Sequence, residues 1–246
     1  MKNSFFIIAC VIFLFSCEKG YDGVCLKGTG DIITGERTMN HRFVNIDLDD
    51  NVELVIVQDT YQHIKVEAGE NVNPGIVTET DTENGTLKIF NANACEFFRN
   101  YKHPLKVYVY TDTLNKVTFN GGGNISSQNT LTFSSLTFEC LNSGSDVILN
   151  VDADSLKMYL HTGSTNVYVN GTASYAYFYS SGNSIIHAEN LVANDVHVNN
   201  HSTGDFYVNA INTLRAEIFM YSTTWYKGNP VISRSGPGSG EIKPIP

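Results

Sequence analysis

Four tyrosines, three histidines and one phenylalanine crowd into one region of the chain: Tyr159, Tyr177, Tyr179, Tyr221, His161, His197, His201 and Phe219. Their spacing is the informative part, because Tyr159 and Tyr179, Tyr177 and His197, and His201 and Tyr221 are each twenty residues apart. Flat rings on a rigid sheet, interleaved with Asn and His, can stack on sugar rings or form a protein contact. The same rings can instead do no more than steady their strand neighbours, resting under a loop or under the first half of the chain. The histidines do not read as a metal centre: they fall in different repeats, and no carboxylate pattern completes a ligand set. No cofactor is expected. Acid–base chemistry is equally thin. Glu139, Glu189 and Glu217 sit in different repeats or strands, and Lys157 and Arg215 share no column with clustered acids. A carboxylate pair at the separation that glycoside hydrolysis requires cannot be picked out. There is no Ser-His-Asp motif, P-loop or zinc signature. A non-catalytic module is therefore the first reading, and a polysaccharide-active β-helix enzyme, lyase or hydrolase, is the alternative.

The elements that must position these side chains show the same period. Leu136, Leu156, Ala176, Val196 and Ala216 form one column, and Phe138, Met158, Phe178, Val198 and Ile218 a second. Cys140, Leu160, Ser180, Asn200 and Met220 form a third, polar in its middle. An earlier strand in each repeat runs through Val147, Leu149 and Val151, then Val167, Val169 and Gly171, then, one residue short, Ile186 and Ala188, then Phe206, Val208 and Ala210. Alternation inside each segment means strand, with successive side chains on opposite faces. Repetition between segments means that each strand lies on its copy in the previous turn. The expected fold is all-β: a single-stranded parallel β-helix, or β-solenoid, right-handed by the default for parallel crossovers, with hairpins in the N-terminal half. The outward columns then read Thr137, Lys157, Tyr177, His197, Glu217; Glu139, Tyr159, Tyr179, Asn199, Phe219; and Leu141, His161, Ser181, His201, Tyr221.

Turn signals fit that frame. Small residues around a glycine punctuate each repeat, as at Ser143-Gly144-Ser145, Thr162-Gly163-Ser164 and Ser181-Gly182-Asn183. Ala153, Ala173 and Ala193 mark a second, tight corner. Before residue 121 short alternating runs are less regular, and Asn84-Gly85 is the strongest hairpin signal. This part is the expected cover for one raw end of the solenoid. Asn91 to His103 is expected to be an excursion that packs Phe97 or Phe98 over the core. The tail, rich in Gly and then Lys243-Pro244-Ile245-Pro246, is expected to end the ladder, since proline has no N–H to donate.

Of the 246 residues 42% are apolar and 17% charged, which suits a folded protein. The formal charge of −9 and the lack of a basic patch speak against nucleic acid as a partner. Lys2 precedes an apolar run from Phe5 to Phe15, too short to span a bilayer and suited to an export signal. Leu14-Phe15-Ser16-Cys17 resembles a bacterial lipobox. The expected organisation is a signal over 1–16, a lipidated Cys17 with a short linker over 17–27, and one solenoid domain over 28–246. Within it, 28–120 is irregular and 121–246 is built of coils of about twenty residues. Several acyl chains on Cys17 would make a stable membrane anchor; the alternative is ordinary secretion with Cys17 as a thiol. Cys25 and Cys95 are candidates for a disulfide, and Cys140, in an inward column, for a buried free thiol.

Gly28-Thr29-Gly30, Glu36-Arg37 before Phe43-Val44-Asn45-Ile46, Ile64-Lys65-Val66-Glu67-Ala68 and Asn84-Gly85-Thr86-Leu87-Lys88-Ile89 resemble, in that order, the auto-transporter adhesin head GIN domain family. The Ser-Gly-Ser corners and the closing Tyr226-Lys227-Gly228-Asn229-Pro230 extend the resemblance from about Gly28 to Ile242. It implies a β-helix-like fold in exported proteins, often lipoproteins of Gram-negative bacteria, with adhesion suspected; the expected location of this chain is the cell envelope, lipid-anchored at the outer membrane. It carries no established catalytic residues.

Overall fold

The computed structural model describes residues 28–94 and 104–246. In chain order the first strands are β1 (Ile32–Arg37), β2 (Asn45–Asp50), β3 (Glu53–Gln58), β4 (His63–Gly69), β5 (Ile76–Asp81), β6 (Thr86–Asn91), β7 (Lys106–Thr111), β8 (Lys116–Gly121) and β9 (Ile125–Ser127). The later ones are β10 (Ser135–Ser143), β11 (Asp146–Gly163), β12 (Asn166–Ser180), β13 (Ile185–Asn200), β14 (Phe206–Ile218), β15 (Thr224–Lys227), β16 (Val231–Ser235) and β17 (Ile242–Pro244). They wind into a β-solenoid of about six turns. β11 to β14 each bend at a small-residue corner, at Ala153, Ala173 or Ala193 in the first three, so one strand serves two flanks of the solenoid.

The front ladder runs β5, β6, β2, β8, β10, then the C-terminal halves of β11 to β14, then β16. The back ladder runs β1, β4, β7, β3, β9, the N-terminal halves of β11 to β14, then β15 and β17. Both are parallel except at the N-terminal end, where β1, β4 and β5 pair antiparallel. Those three strands cover that end, as the sequence suggests, and β5–β6 is the hairpin closed by Asn84-Gly85. Chain order and stacking order differ here. The β6–β7 turn lies beneath β2–β3, and β8–β9 lies above it, so the earliest turn is sandwiched between two later ones.

The core is the stack of inward columns. Leu136, Leu156, Ala176 and Val196 are in register, as are Phe138, Met158, Phe178 and Val198, and all are buried. Burial of one face and exposure of the other fixes this register, since a slip of one residue would turn every apolar side chain outward. The expected columns fail only in β14. Val196 pairs with Leu214, Val198 with Ala216 and Asn200 with Ile218, two residues ahead of a strict twenty-residue step. The cause is at the preceding corner, where β13 spends three residues, Glu189 to Leu191, with no partner in β14, and β14 then gives one back between Ala210 and Thr213.

The C-terminal end also differs from expectation. The tail does not stop the ladder, because β17 adds one more rung on β15, with Pro244 opposite Tyr226. Proline is tolerated there because the outer side of an edge strand has no ladder bond to supply. Cys140 is buried and free, as expected. Burial raises its thiol pKa, and its Sγ lies 3.4 Å from Thr165 Oγ1. Cys17, Cys25, Cys95, Phe97 and Phe98 lie outside the described residues.

Candidate functional site

On the outer side of the front ladder each aromatic residue stands between two core residues; Tyr177, for example, lies between buried Ala176 and Phe178. The pairing brings most of the sequence-selected residues together. Tyr159 lies opposite Tyr179, and Tyr177 opposite His197. Ring centroids are 5.3 Å apart for Tyr159 and Tyr177, 5.6 Å for His161 and Tyr179, and 4.9 Å for Tyr177 and His197. Tyr179 reaches His201 at 5.7 Å, and His201 stacks on Phe219 at 3.8 Å with ring planes 11° apart.

The slip in β14 corrects three expected neighbours. His197 faces Arg215, Asn199 faces Glu217, and Phe219 falls in the column of His201 rather than beside Asn199. Tyr221, expected under His201, leaves the ladder and is 65% exposed.

No described strand is layered over this face; β12 packs against β11 and β13 on either side. The half-burial of the rings comes from one another, so the cross-strand role expected of them is real, and the cover expected with it is absent among the described residues. Seven rings, from Tyr159 to Phe219, thus form one open surface. Most are tilted by 44–56° to their neighbours, which leaves parts of ring faces, and not edges alone, turned outward.

The polar groups on this face are largely engaged. His197 Nε2 lies 3.2 Å from Glu217 Oε1, and Nδ1 lies 3.4 Å from the Tyr175 hydroxyl. Burial, aided by Arg215 and opposed by Glu217, lowers the His197 pKa. A neutral ring satisfies both contacts when Nε2–H donates to the carboxylate and Nδ1 accepts from Tyr175. Burial also raises the Tyr175 and Tyr177 pKa values, keeping these phenols as donors. Glu139 accepts from Lys116 Nζ at 2.5 Å, and that bond, with a contact to His161 Nε2 at 3.2 Å, holds its carboxyl below the usual range. Glu139 and Glu217 are four rungs apart, roughly 19 Å at the strand spacing, beyond the separation of glycosidase carboxylates. Among the described residues no group of three or more His, Cys, Asp and Glu could hold a metal ion.

A second ring column escaped the sequence reading. On the back ladder Tyr168, His187, Tyr207 and Trp225 lie in register, with centroids 4.9, 5.0 and 6.2 Å apart and planes within 7° of parallel. Trp225 Nε1 donates to Asp205 Oδ2 at 3.0 Å, and the Lys243 ammonium lies 5.9 Å from the Trp225 ring centre. These rings spend their faces on one another and turn edges to solvent. The signal was present in the near-twenty spacing of Tyr168, His187 and Tyr207, hidden by the single-residue loss between them.

The functional-site residues thus lie on an open aromatic flank of a two-ladder β-solenoid whose N-terminal end is capped by antiparallel strands. The chain belongs to the family described as "Putative auto-transporter adhesin, head GIN domain", whose profile matches residues 42–230. It is similar to a crystal structure titled a putative adhesin from Bacteroides fragilis, at 26% identity and TM-score 0.77, covering 89% of this chain and 99% of that one. The fold is shared at 23% identity and TM-score 0.67 with a structure titled a putative lipid binding protein from Parabacteroides distasonis, over 89% of this chain and 99% of that one. It is shared at 18% identity and TM-score 0.61 with a structure titled a putative adhesin from Parabacteroides merdae, over 89% and 98% of the two chains. Among curated proteins, none matches this chain.

Proposed function

We propose that this protein is a non-catalytic, adhesin-like module of the cell envelope that holds glycan on its front aromatic face. The observation that supports it is the unbroken run of rings, Tyr159, Tyr177, Tyr179, His161, His197, His201 and Phe219, carried by a stiff stack of strands with nothing described above it. Rings prepositioned by the ladder lose little freedom on binding, which favours contact energy over ordering cost. The family and the adhesin title of its structural relative point the same way. Replacing Tyr177 and Tyr179 together by Ala leaves the core columns intact. It is expected to weaken binding on a glycan array by about 2 kcal/mol or more, the scale of aromatic hot spots. Undiminished glycan binding by a folded double variant would sink this assignment. Capture of a protein ligand that depends on the same two tyrosines would move the reading from glycan to protein.

The tether belongs to the same proposal. An export signal followed by lipidation of Cys17 fits the leader, and the linker to residue 28 is short enough to hold the domain close to the membrane. Wild-type chain from its native host is expected in the detergent phase on Triton X-114 partitioning, and Cys17→Ala chain in the aqueous phase. Equal partitioning of the two would remove the anchor.

A further inference from the structure

We infer that the front face takes an acidic glycan, one whose sugar carries a carboxylate or a sulfate, and that Lys157 receives that anion; the inference rests on the glycan reading above and narrows it. One outward column of the front ladder runs Lys116, Thr137, Lys157, Tyr177, His197 and Arg215. The column beside it, two residues further along each strand, runs Thr118, Glu139, Tyr159, Tyr179, Asn199 and Glu217. The first column holds three cations, and two of them find a carboxylate in the second. Lys116 meets Glu139, on the next rung, at 2.5 Å. Arg215 meets Glu217, two residues on in its own strand. At both corresponding positions Lys157 finds a ring instead, Tyr179 on the next rung and Tyr159 on its own strand.

Of the outward-facing lysines and arginines on the front ladder, Lys157 alone has no carboxylate partner among the described residues. Its ammonium has three donors and no hydrogen bond there. The other charges nearby do not answer it. Asp154 lies three residues back at the corner and forms no ion pair with it. Asp195 accepts from Thr213 Oγ1 at 2.5 Å and stands two rungs on and one column over, roughly 12 Å away by the strand and residue spacings. The His197 pKa is lowered, so its ring does not compete for an anion at neutral pH. The chain's formal charge of −9 opposes an acidic ligand in general, but screening limits that to about 8 Å at physiological salt. Within that range the unpaired ammonium decides. Tyr177 is one rung from Lys157, roughly 4.8 Å, so a sugar lying on the Tyr177 ring brings an acidic substituent within reach of Lys157. The Tyr177 hydroxyl accepts from Asn199 Nδ2 at 3.3 Å and keeps its own proton for a sugar oxygen. A ring face, a phenol donor and a point charge side by side match a sugar that has C–H faces, hydroxyls and one anion.

The test is titration of the full chain with oligosaccharides of one length in three forms, neutral, uronic-acid and sulfated, with thermal melts of every variant. Wild type is expected to bind an acidic form about tenfold more tightly than the neutral one, and the form it prefers tells carboxylate from sulfate. Lys157→Met keeps the apolar stem and removes the charge. It is expected to bring acidic binding down to the neutral level, a loss of about tenfold, and to leave neutral binding within about twofold. Should Lys157→Met fail to fold, Thr137→Glu takes its place: it sets a carboxylate across the rung from Lys157, touches no ring, and is expected to abolish the same preference. Equal binding of the three forms by wild type, or an acidic preference that survives the loss of the Lys157 charge, overturns the inference and leaves the glycan reading standing. No binding of any form removes the glycan reading itself, and the inference with it.

Discussion

Phe178→Ala is expected to lower the stability of the domain by about 3–5 kcal/mol, the cost of removing a fully buried aromatic ring from a core that collapses only in part. Phe178 is 0% exposed and sits mid-spine, between Met158 and Val198. The narrow interior magnifies the loss. Strands on both flanks are pinned by their ladders to the turns above and below, so neither can move inward to fill the space without breaking register. Tyr177→Ala, one position away and half exposed, removes a side chain of similar size from the opposite side of the same strand. Its expected cost is about 1 kcal/mol, the scale of a cross-strand ring contact. Chemical denaturation of the two variants measures the contrast directly. Equal losses would mean that the alternation of inward and outward positions is misplaced.

The second large effect is expected at Gly171→Ala, which should destabilise by about 2–4 kcal/mol although it adds a single methyl group. Gly171 has φ +114°, a conformation open to glycine and strained for any residue with a Cβ. Even if the strain were accepted, the new Cβ would lie 2.0 Å from the Val151 carbonyl oxygen of the turn below. That atom is backbone in a ladder and has nowhere to go. Gly122 supplies the control. Nothing lies within 4 Å of its Cβ position and its φ is not positive, so Gly122→Ala should leave the melting temperature unchanged or slightly raised, through the unfolded chain. A Gly171→Ala melt that matched wild type would show that neighbouring turns can part at that corner.

Much of this architecture was legible in the residues. Phe138, Met158, Phe178 and Val198 declare a shared column because strand alternation and turn length are both periodic, and both hold in the fold. What failed did so where the period is broken locally. The three residues from Glu189 to Leu191 that β13 leaves without partners shift every pairing downstream, which moved Phe219 and released Tyr221. Sequence alone fixes the length of a turn only when the next turn has the same length. The missing residue before Ile186 likewise concealed the column of Tyr168, His187, Tyr207 and Trp225. The stacking of β6–β7 under β2–β3 was beyond reach for a different reason. Those turns carry no shared letters, and pairing between them spans long loops whose closure leaves no local signature. For the front face, the rings were readable one by one. Their tilt and their contacts across the strands are properties of neighbours and needed geometry.

The out-of-order start has a consequence for how the molecule is made. A chain made from its N-terminus produces β2 and β3 before the strands that flank them, so both ladder edges of that turn stay raw until β6 and β7 close below and β8 and β9 close above. The turn built on β2 and β3 is therefore extended in two directions, downward by β6 and β7 and upward by β8 and β9. A chain arrested before residue 106 would have the β5–β6 hairpin seated on β2, but β1 and β4 would lack β7, the strand that seats them.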